Sequence, residues 1–593
     1  MKAIILTAGI GNRMRPLTDT THKTLLKIGN ETILERIING LIANNVHDIV
    51  LVTGYDAESL KEYLFDKYSK NIFTFVHNHR YRETNNIYSL SLAMNSIEID
   101  DDILIIESDL VYEQNVIRKI IRSNYSNVAL VDKFQSGMDG TVVSVDDNII
   151  TSIIPPHLQD KNFNFSDKYK TLNIYKFSKE FCNNSFRKLL TYYTKTIGDN
   201  CYYELILGIL IYIQKEVIHA EIIDGEKWSE VDDPNDLRIS EFVFNKCKQT
   251  QILEDTFGGY WSYNITDFCF IRNMYFPNNS IVSELKNNLF NLIHNYGSKQ
   301  DILNQKLAYF LFCKPEKVNL LNGASQIYPI LQDMFRERTV LIPDPTFGEY
   351  MRIFNNNLTY SDKVGIDFEE IEERSAQCDV VVFVNPNNPT GSFINSEKIL
   401  NFALKHPDLT IIVDESFIDF APTPSMLDLL YGEYCPNVII IKSLSKCLGV
   451  PGLRIGFVYS QDLTFNKIVN DSIPIWNTNS ISEFFLELIL KHRRTLQESF
   501  ELTRKDRKEF VQALSYQPFV RRVYNSEANF VLVEFNDNKK LLNLVTYLLS
   551  ERSIYVKNIS HRFNNGNYYM RFAVRLPEEN EVLIDALSEY FNE

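Results

Sequence analysis

Residues 3–18, AIILTAGIGNRMRPLT, join a short apolar run to a glycine-rich turn. The run Ala3–Leu6 predicts a buried strand, and Gly9 and Gly11 predict a turn in which backbone N–H groups approach an anion without a Cβ atom in the way. This is not the dinucleotide-binding fingerprint, because Met14 stands where that pattern needs a third glycine. It is not a Walker A loop either, since no Gly-Lys-Ser/Thr follows the turn. The stretch therefore predicts a strand, a phosphate-binding turn and a helix of a different α/β nucleotide-binding fold.

The first part of the chain alternates β-rich runs with segments of helical periodicity. The predicted strands are Ala3–Leu6, Ile49–Val52, Ile72–Val76, Ile103–Ile106 and Val128–Val131. Helices are predicted at Thr32–Asn44 and Ala57–Lys67. This alternation predicts a Rossmann-like domain whose mixed, largely parallel sheet has helices on both faces.

A second α/β series follows, and its motifs are unrelated to those of the first. Its predicted strands are Val340–Ile342, Val380–Val384, Thr410–Val413, Val438–Ile441 and Ile455–Tyr459, and strand-like Phe530–Glu534 and Tyr568–Ala573 lie in a smaller α+β lobe. Periodicity lapses in residues 246–262, KCKQTQILEDTFGGYWS. We therefore predict one domain at 1–245, a linker at 246–262 and a second domain at 263–593.

The bulk composition limits the partners and the compartment. The formal net charge is −15, which argues against nucleic acid as a partner, because binding a polyanion needs a positive surface. None of the eight cysteines forms a C-x-x-C pair, so free thiols in a reducing cytoplasm are expected. The longest apolar run, Leu205–Ile213, is roughly half of a membrane span, and the N-terminus lacks a secretory pattern. We expect a cytoplasmic protein without membrane contact.

Arg13 and Lys23 add cationic donors to the glycine-rich turn, which suits a nucleoside triphosphate. The pattern L-T-A-G-x-G-x-R-M-x-P-L-T, followed by a lysine, resembles the sugar-phosphate nucleotidyltransferases and, more narrowly, the bacterial choline-phosphate cytidylyltransferases. The stretches Arg82–Leu90, Glu107–Leu110 and Trp228–Asp232 extend this resemblance to about residue 245.

The resemblance implies CTP as the nucleotide and Mg²⁺ as the metal ion. Arg13 and Lys23 are the implied catalytic residues, and Asp109 and Asp232 are the implied Mg²⁺ ligands. Asp109 also follows a predicted buried strand, where functional carboxylates of open α/β sheets gather. The resemblance implies that Leu6, Ala8 and Gly9 contact the nucleotide. The predicted nucleotide-binding set also contains Gly11, Lys23, Thr84, Asn85 and Ser89, of which the last three can face either the nucleotide or the acceptor. The family has proline before the active-site lysine where this chain has His22, and we expect that difference to alter the loop rather than the chemistry.

Four stretches in the second series match the requirements of pyridoxal 5′-phosphate (PLP). They are Asn322–Gln326, Asn385–Gly391, Val413–Phe417 and Ser443–Lys446. PLP needs a lysine for the Schiff base, which predicts Lys446, and a carboxylate at the pyridinium nitrogen, which predicts Asp414. The cofactor phosphate needs N–H groups, hydroxyls and an arginine, and the candidates are Ala324, Ser325, Ser443 and Arg454. Asn388 can donate a hydrogen bond to the ring hydroxyl.

From about residue 260 onward these stretches resemble the fold-type I aminotransferases, particularly the histidinol-phosphate aminotransferases and the threonine-phosphate decarboxylases. The resemblance adds Ser445 to the PLP-binding residues and implies that Phe347 stacks on the ring. It implies that Tyr296 reaches the cofactor phosphate of a neighbouring subunit, which predicts a homodimer. It also implies that Arg571 binds a substrate carboxylate. Phe417 is a departure, because the family usually has tyrosine there.

The presence of both domains in one chain points to the substrate. The whole chain resembles the bifunctional enzymes of bacterial phosphonate biosynthesis that combine a 2-aminoethylphosphonate cytidylyltransferase with a 2-aminoethylphosphonate transaminase. In such an enzyme phosphonoacetaldehyde is transaminated at the expense of an amino donor, and 2-aminoethylphosphonate is then coupled to CMP. Charge complementarity suggests Lys133 for the acceptor's phosphonate and Glu83, Asp139 or Glu204 for its ammonium group.

Three alternatives stay open at this point. The first domain can act on phosphocholine or phosphoethanolamine, beside an aminotransferase like the histidinol-phosphate enzymes. The second domain can be a PLP decarboxylase, because the pocket, not the cofactor, selects the bond that breaks. One domain can also be a non-catalytic module, for which Phe417 and His22 are the supporting features.

Overall fold

The computed structural model describes residues 1–135, 137–160, 163–536 and 541–592. The chain divides into two compact units, Met1–Asn264 and Ile265–Glu593. Each unit has its own hydrophobic cores and its own central sheet, as expected for a chain too long for one core.

The first unit is built on a nine-stranded sheet with the order β5-β4-β1-β6-β11-β8-β12-β10-β9. The strands of the whole unit are β1 Lys2–Thr7, β2 Lys27–Ile28, β3 Glu31–Thr32, β4 Asp48–Thr53, β5 Phe73–His77, β6 Ile103–Glu107, β7 Leu110–Tyr112, β8 Val128–Lys133, β9 Val142–Asp146, β10 Ile149–Ile154, β11 Tyr169–Phe177, β12 His219–Ile222 and β13 Trp228–Glu230. Strands β2 and β3, and strands β7 and β13, form two separate two-stranded sheets. Strands β5, β4, β1 and β6 are parallel, whereas β11 is antiparallel to both β6 and β8. The sheet is therefore mixed.

Helices cover both faces of this sheet, and two apolar clusters lie on opposite sides of β1. The helices are α1 Ile33–Ala43, α2 Ala57–Lys67, α3 Asn86–Ser96, α4 Gln114–Arg122, α5 Lys179–Phe181, α6 Arg187–Thr196, α7 Glu204–Tyr212, α8 Pro234–Phe244 and α9 Gln249–Thr256. Ala3 and Ile5 of β1 belong to one cluster, and Ile4 and Leu6 belong to the other. This alternation explains why β1 is a continuous apolar run: both of its faces are buried.

The register of the parallel strands brings the functional loops to one edge. Leu6 of β1 pairs with Glu107 of β6, so the glycine-rich turn and Asp109 leave the sheet side by side. Strand β13 pairs with β7, and the Val231 N–H donates to the Asp109 carbonyl at 2.8 Å. The backbone therefore brings Asp109 next to the residue that precedes Asp232.

The segment 246–262, which the sequence predicts as a linker, is largely helical. It contains α9 and two short turns, and Leu253 of α9 is fully buried. The Tyr260 hydroxyl donates to the Leu253 carbonyl at 2.7 Å, and the Gln249 side chain donates to the Phe242 carbonyl at 2.8 Å. The segment thus packs on α8 inside the first unit, and the boundary between the units lies after Asn264.

The second unit contains a seven-stranded sheet with the order β15-β21-β20-β19-β18-β16-β17 and a four-stranded antiparallel sheet with the order β22-β23-β26-β25. Its strands are β14 Thr266–Asp267, β15 Val318–Asn322, β16 Val340–Asp344, β17 Asn357–Ser361, β18 Val380–Val384, β19 Thr410–Asp414, β20 Val438–Lys442, β21 Ile455–Ser460, β22 Val520–Val523, β23 Phe530–Phe535, β24 Ile554–Tyr555, β25 Lys557–Asn558 and β26 Tyr568–Ala573. In the large sheet only β21 runs antiparallel to its neighbours.

Helices pack on both faces of the large sheet and on one side of the small one. They are α10 Asn279–His294, α11 Gln300–Leu311, α12 Ile327–Met334, α13 Gly348–Ile353, α14 Phe368–Ser375, α15 Ser396–Lys405, α16 Met426–Leu429, α17 Leu444–Cys447, α18 Leu463–Ser472, α19 Ser480–Ile489, α20 Arg493–Ser515, α21 Leu541–Arg552 and α22 Pro577–Asn592. Across the described ranges, no helix combines the length and apolarity needed to cross a membrane.

Substitution of Phe383, at the centre of β18, tests how tightly the core of the large sheet is packed. The ring of Phe383 is fully buried and contacts the rings of Phe402 and Phe368. Phe383→Ala should lower the free energy of unfolding of the second unit by about 3–5 kcal/mol, because a large cavity is left in a packed core. Chemical denaturation followed by circular dichroism measures this. Val364→Ala, at an exposed position, is the control, and an equal loss in both variants would contradict the packing account.

Candidate active sites

The glycine-rich turn closes over the loop that carries Lys23. Gly11 has φ +69°, and a Cβ atom added there would lie 3.1 Å from the Cβ of Lys23, so a larger residue is both strained and crowded. The Thr18 hydroxyl donates to the Gly11 carbonyl at 2.8 Å. A Cβ atom at Gly9 would meet no atom of the described residues within 4 Å, so this glycine faces open space.

Lys23 lies between two carboxylates. Its Nζ is 2.9 Å from Oδ2 of Asp109 and 3.1 Å from Oδ1 of Asp232, and Arg13 Nη2 is 2.7 Å from the same Asp232 oxygen. Burial lowers the pKa of Lys23, but the two carboxylates outweigh it and the net pKa is raised. The lysine is therefore a permanent cation at the opening of the glycine turn.

His22, which replaces the usual proline, anchors this loop. Its Nδ1 accepts from the Thr24 N–H at 3.2 Å, and its Nε2 is 3.1 Å from the Thr7 carbonyl at the end of β1. The ring therefore carries its proton on Nε2, and burial lowers its pKa, which keeps it neutral. The imidazole thus joins the loop that carries Lys23 to the end of β1.

The two carboxylates suit a hard cation such as Mg²⁺. Oδ1 of Asp109 is buried and has no hydrogen-bond partner among the described residues. On Asp232, Lys23 and Arg13 both contact Oδ1, and Oδ2 is the second oxygen of that carboxylate. Oxygen ligands of this kind are those that Mg²⁺ prefers. When bound, the ion would neutralise phosphate charge beside Arg13 and Lys23.

A cavity of about 340 Å³ lies beside this cluster. It is lined by all of the predicted nucleotide-binding residues, which are Leu6, Ala8, Gly9, Gly11, Lys23, Thr84, Asn85 and Ser89. Arg13, Asp109 and Asp232 also line it, which brings the predicted nucleotide and metal residues together.

Sequence reasoning missed three residues that shape the cavity. Asn78 donates to the hydroxyls of Thr84 and Ser89, both at 3.1 Å, and so orients two lining residues. Ser108 donates to the Leu6 carbonyl at 2.6 Å. A Cβ atom at Gly54 would come within 2.7 Å of the Ala8 carbonyl, so only glycine fits there. No local motif marks Asn78, and the close approach of Gly54 to Ala8 joins positions that are distant in sequence.

The four candidate acceptor residues separate into two groups. Lys133, Glu83 and Asp139 are exposed, Glu204 is buried, and none of the four is among the residues that line the cavity. Glu83 instead pairs with Arg80. The structure therefore does not bring these three residues to the site.

Glu204 is buried at the start of α7, and its Oε2 has no hydrogen-bond partner among the described residues. Burial raises its pKa to about 7. It acts electrostatically on Glu107, which lines the cavity and accepts from Asn86 at 2.9 Å.

In the second unit Asp414 and Lys446 lie at the ends of neighbouring parallel strands. Asp414 ends β19, and Lys446 lies in α17, which follows β20. Oδ1 of Asp414 accepts from the Ser416 N–H at 3.0 Å and from its hydroxyl at 2.6 Å. Burial, together with the charges of Arg571 and Arg454, lowers the pKa of Lys446 to about 8, and the opposing effect of Asp414 is smaller. The amine is therefore easily made neutral, as a nucleophile requires.

Tyr350 is a further partner of Asp414 that sequence reasoning missed. Its hydroxyl donates to Oδ2 of Asp414 at 2.7 Å, and its ring meets that of Tyr328 edge-on with centroids 5.6 Å apart. The Tyr350 hydroxyl and the two Ser416 donors offset the cost of burying the Asp414 carboxylate and fix its orientation. One oxygen lone pair stays available for a pyridinium N–H.

The predicted phosphate-binding residues Ala324 and Ser325 lie close to Arg454 and β21. Arg454 Nη2 donates to the Ser325 hydroxyl at 3.2 Å, and a Cβ atom at Gly323 would come within 2.5 Å of that nitrogen. At Gly456 a Cβ atom would come within 2.4 Å of the Ala324 nitrogen, so glycine lets the turn approach β21 closely.

The two predicted serines of the 443–446 stretch differ in their surroundings. Ser443 donates its N–H to the Ser416 hydroxyl at 3.1 Å, which connects it to Asp414. The Ser445 hydroxyl donates to the Ile455 carbonyl at 3.3 Å and is buried, so in this conformation it binds backbone.

The remaining predicted residues surround the same region. Asn388 Oδ1 accepts from Arg571 Nη1 at 2.7 Å, and the Phe347 ring is partly exposed. Phe417 is buried edge-on against Phe530, with centroids 5.1 Å apart, so its ring has an apolar packing role in place of the usual tyrosine hydroxyl. Tyr296 is 80% exposed and stacks on Trp476.

Comparison with known proteins identifies a family for each part of the chain. Residues 266–587 match the family of class I and II aminotransferases, which is more than half of the chain, and residues 2–133 match the nucleotidyl transferase family. The chain belongs to the class I and II aminotransferases and carries a nucleotidyltransferase domain ahead of that part. The predicted fold class is thereby confirmed, and the chain is a transferase. PLP fits the aminotransferase family.

Three similar proteins are informative. The chain is 29% identical to the CMP-5′-(3-aminopropyl)phosphonate synthase of Streptomyces rubellomurinus over 99% of this chain and 95% of that protein. It is 30% identical to an L-serine phosphate decarboxylase of Campylobacter jejuni over 55% of this chain and 89% of that protein. The crystal structure of the histidinol-phosphate aminotransferase of Clostridium acetobutylicum is 27% identical, with a TM-score of 0.50, over 56% of this chain and 100% of that one.

The lowered pKa of Lys446 gives a test on the cofactor-free protein. Acetylation of its amine by acetic anhydride should increase with pH and level off above about 8, since only the neutral amine reacts. Peptide mass spectrometry measures the modified fraction. Arg571→Gln should move the midpoint upward, because the Arg571 charge favours the neutral amine. A midpoint near the ordinary lysine value in the unmodified chain would contradict this environment.

Proposed function

We propose that the chain makes a CMP-linked aminoalkylphosphonate in two steps. The second unit transaminates phosphonoacetaldehyde to 2-aminoethylphosphonate with PLP and an amino donor. The first unit then couples 2-aminoethylphosphonate to CTP and releases pyrophosphate. The observation that carries the proposal is the Lys23 ammonium between Asp109 and Asp232 at the opening of the nucleotide cavity.

The transfer joins two anions, and the cavity offers the charges that permit it. An oxygen of the phosphonate forms a bond to the α-phosphorus of CTP, while the bond from that phosphorus to the bridging oxygen breaks. Arg13 and Lys23 donate to the oxygens that gain negative charge as pyrophosphate leaves. Asp109 and Asp232 hold these two cations in place and are the proposed Mg²⁺ ligands.

The similar proteins support the acceptor class. The name of the Streptomyces relative contains CMP, a primary amine and a phosphonate, and this relative matches the chain along nearly its whole length. The chemistry that unites 2-aminoethylphosphonate and 3-aminopropylphosphonate is an ammonium group at one end and a phosphonate at the other. The choice of CTP as the nucleotide rests on the same relative and on the resemblance to the cytidylyltransferases.

Glu204 is the best candidate for the acceptor's ammonium group. Its Oε2 is buried without a hydrogen-bond partner among the described residues, and Glu204 and Glu230 both act electrostatically on Glu107, which lines the cavity. Lys170 pairs with Glu230, and a ligand cation can stabilise the remaining carboxylates. Glu204 does not line the cavity itself, but Lys133, Glu83 and Asp139 are exposed and lack this buried carboxylate cluster, so Glu204 replaces them in the proposal.

Glu204→Gln should raise the KM for 2-aminoethylphosphonate about tenfold or more, because it removes a charge-assisted hydrogen bond. The KM for CTP should stay within about twofold. Since the carboxylate form exists above a pKa of about 7, the acceptor KM should also fall as pH rises through that value. Pyrophosphate release measures both constants, and Glu83→Gln is the matched surface control. Equal effects on the two substrates would remove Glu204 from the acceptor site.

A panel of nucleotides and acceptors tests the proposal as a whole. CTP, UTP, ATP and GTP are each combined with 2-aminoethylphosphonate, phosphocholine or phosphoethanolamine, and pyrophosphate is measured. The proposal expects CTP with 2-aminoethylphosphonate to give the highest kcat/KM. A clear preference for phosphocholine would instead support a phosphate-ester cytidylyltransferase.

In the second unit PLP would act as the electron sink that permits bonds at the amino-bearing carbon to break. Lys446 would hold the cofactor and move a proton at that carbon, Asp414 would keep the pyridine nitrogen protonated, and Arg571 would bind a carboxylate. Arg454 and Ser325 would bind the cofactor phosphate.

Decarboxylation is the second candidate for this unit, and it also yields an amine. It is favoured by the likeness to the L-serine phosphate decarboxylase. Dependence on an amino acceptor separates the two reactions. A transaminase converts its amino donor to a keto acid and needs phosphonoacetaldehyde to accept the amine and return the cofactor to PLP, whereas a decarboxylase releases CO₂ without an acceptor.

A further inference from the structure

A fully buried carboxylate, that of Asp362, lies next to the loop 385–392 in the second unit. Asp362 directly follows β17, and its N–H donates to the Asp344 carbonyl at 2.9 Å, which brings it to the end of β16. A carboxylate in the interior is unfavourable unless hydrogen-bond donors surround it. Its partners therefore indicate what the carboxylate stabilises.

Three side chains of the loop 385–392 donate to the two oxygens of Asp362. Oδ2 accepts from Asn387 Nδ2 at 2.6 Å and from the Thr390 hydroxyl at 2.5 Å, and Oδ1 accepts from the Ser392 hydroxyl at 2.6 Å. An ionised carboxylate can accept all three, whereas a protonated one would direct its own O–H at a donor. Burial raises the pKa of Asp362, and the three donors oppose that effect. The loop and the ionised carboxylate therefore stabilise each other.

The same network reaches the loop that carries Phe347. Asn387 Nδ2 also donates to the Pro345 carbonyl at 2.8 Å, and Asn387 Oδ1 accepts from the Thr346 hydroxyl at 3.0 Å. The two loops that carry predicted cofactor contacts are thus joined through one amide, and Asp362 fixes the orientation of that amide.

Asn388, the predicted donor to the ring hydroxyl of PLP, directly follows Asn387 and precedes Pro389 and Thr390. Its Oδ1 accepts from Arg571 Nη1 at 2.7 Å, so its Nδ2 is the atom left to donate to the cofactor. The backbone on either side of Asn388 is held by donors that converge on Asp362. The direction of Asn388 Nδ2 therefore depends on that carboxylate.

We propose that Asp362 is a positioning residue for the cofactor: its carboxylate holds the loop 385–392 in the shape that directs Asn388 Nδ2 at the ring oxygen of PLP. The assignment rests on the proposed function, since it takes PLP as the cofactor bound at Asp414 and Lys446. It does not depend on the substrate, and it applies to a transaminase and to a decarboxylase alike.

The pH dependence of the bound cofactor's visible absorbance tests this role. The absorbance changes as the Lys446 nitrogen joined to PLP loses its proton, and the neighbouring ring oxygen stabilises that proton. A hydrogen bond donated to the ring oxygen stabilises its negative charge and weakens its attraction for the proton, so loss of the donor should raise the midpoint. In the full chain loaded with PLP, Asp362→Asn should raise the midpoint by about half a pH unit or more, because the new amide N–H faces a donor and displaces the loop.

A double variant separates positioning from a general loss of stability. Asn388→Ala should raise the midpoint by itself, and adding Asp362→Asn to it should raise the midpoint little further, because Asp362 acts through Asn388. Tyr360→Phe is the matched control. It removes a buried hydrogen bond to the Val382 carbonyl from the same strand, β17, and should leave the midpoint unchanged.

An unchanged midpoint in Asp362→Asn overturns the proposal, as does full additivity of the shifts in the double variant. Ser392→Ala covers the case in which Asp362→Asn does not fold. It removes one of the three donors, so it should raise the midpoint by a smaller amount, and no shift overturns the proposal. A parent chain that gives no visible PLP band would contradict the proposed function and this assignment together, whereas a normal band with unmoved midpoints overturns this assignment alone.

Discussion

A single ammonium group, Nζ of Lys23, holds together the candidate site of the first unit. It lies within hydrogen-bonding distance of Asp109, which follows β6, and of Asp232, which follows β13, while Lys23 itself follows β1. Three loops from separate parts of the chain therefore meet at one cation. Without it, two adjacent carboxylates would repel each other, and the opening of the nucleotide cavity would lose its shape.

The second unit uses the reverse arrangement, one buried carboxylate among several cations. Asp414 is held by Tyr350 and Ser416, and the excess positive charge makes Lys446 a weaker base than an ordinary lysine. Both candidate sites thus collect cationic side chains in a chain whose overall charge is strongly negative. Local charge, not net charge, decides what each pocket binds.

The sequence predicted much of the fold because the central strands are buried on both faces and form short apolar runs. β1, β6, β18, β19 and β20 all lie within a residue or so of their predicted limits. The residues of the glycine turn and of the 385–391 and 443–446 stretches were found because their chemistry lies in short motifs. The segment 246–262 was not recognised as part of the first unit, since its helix depends on packing against α8 rather than on local periodicity.

Contacts between distant residues explain what the sequence could not supply. Tyr350 reaches Asp414 across 64 positions, and Asn78 orients Thr84 and Ser89 from a loop without a motif. Lys133 and Asp139 are predicted from charge alone, and burial distinguishes Glu204 from them.

The most direct test of two cooperating sites supplies phosphonoacetaldehyde, an amino donor and CTP to the full chain and follows the CMP-linked product by ³¹P NMR. The account predicts that Lys446→Ala makes no product from the aldehyde but still couples added 2-aminoethylphosphonate, whereas Lys23→Met aminates the aldehyde and releases no pyrophosphate. Product from the aldehyde in the Lys446 variant, or undiminished pyrophosphate release in the Lys23 variant, would contradict it.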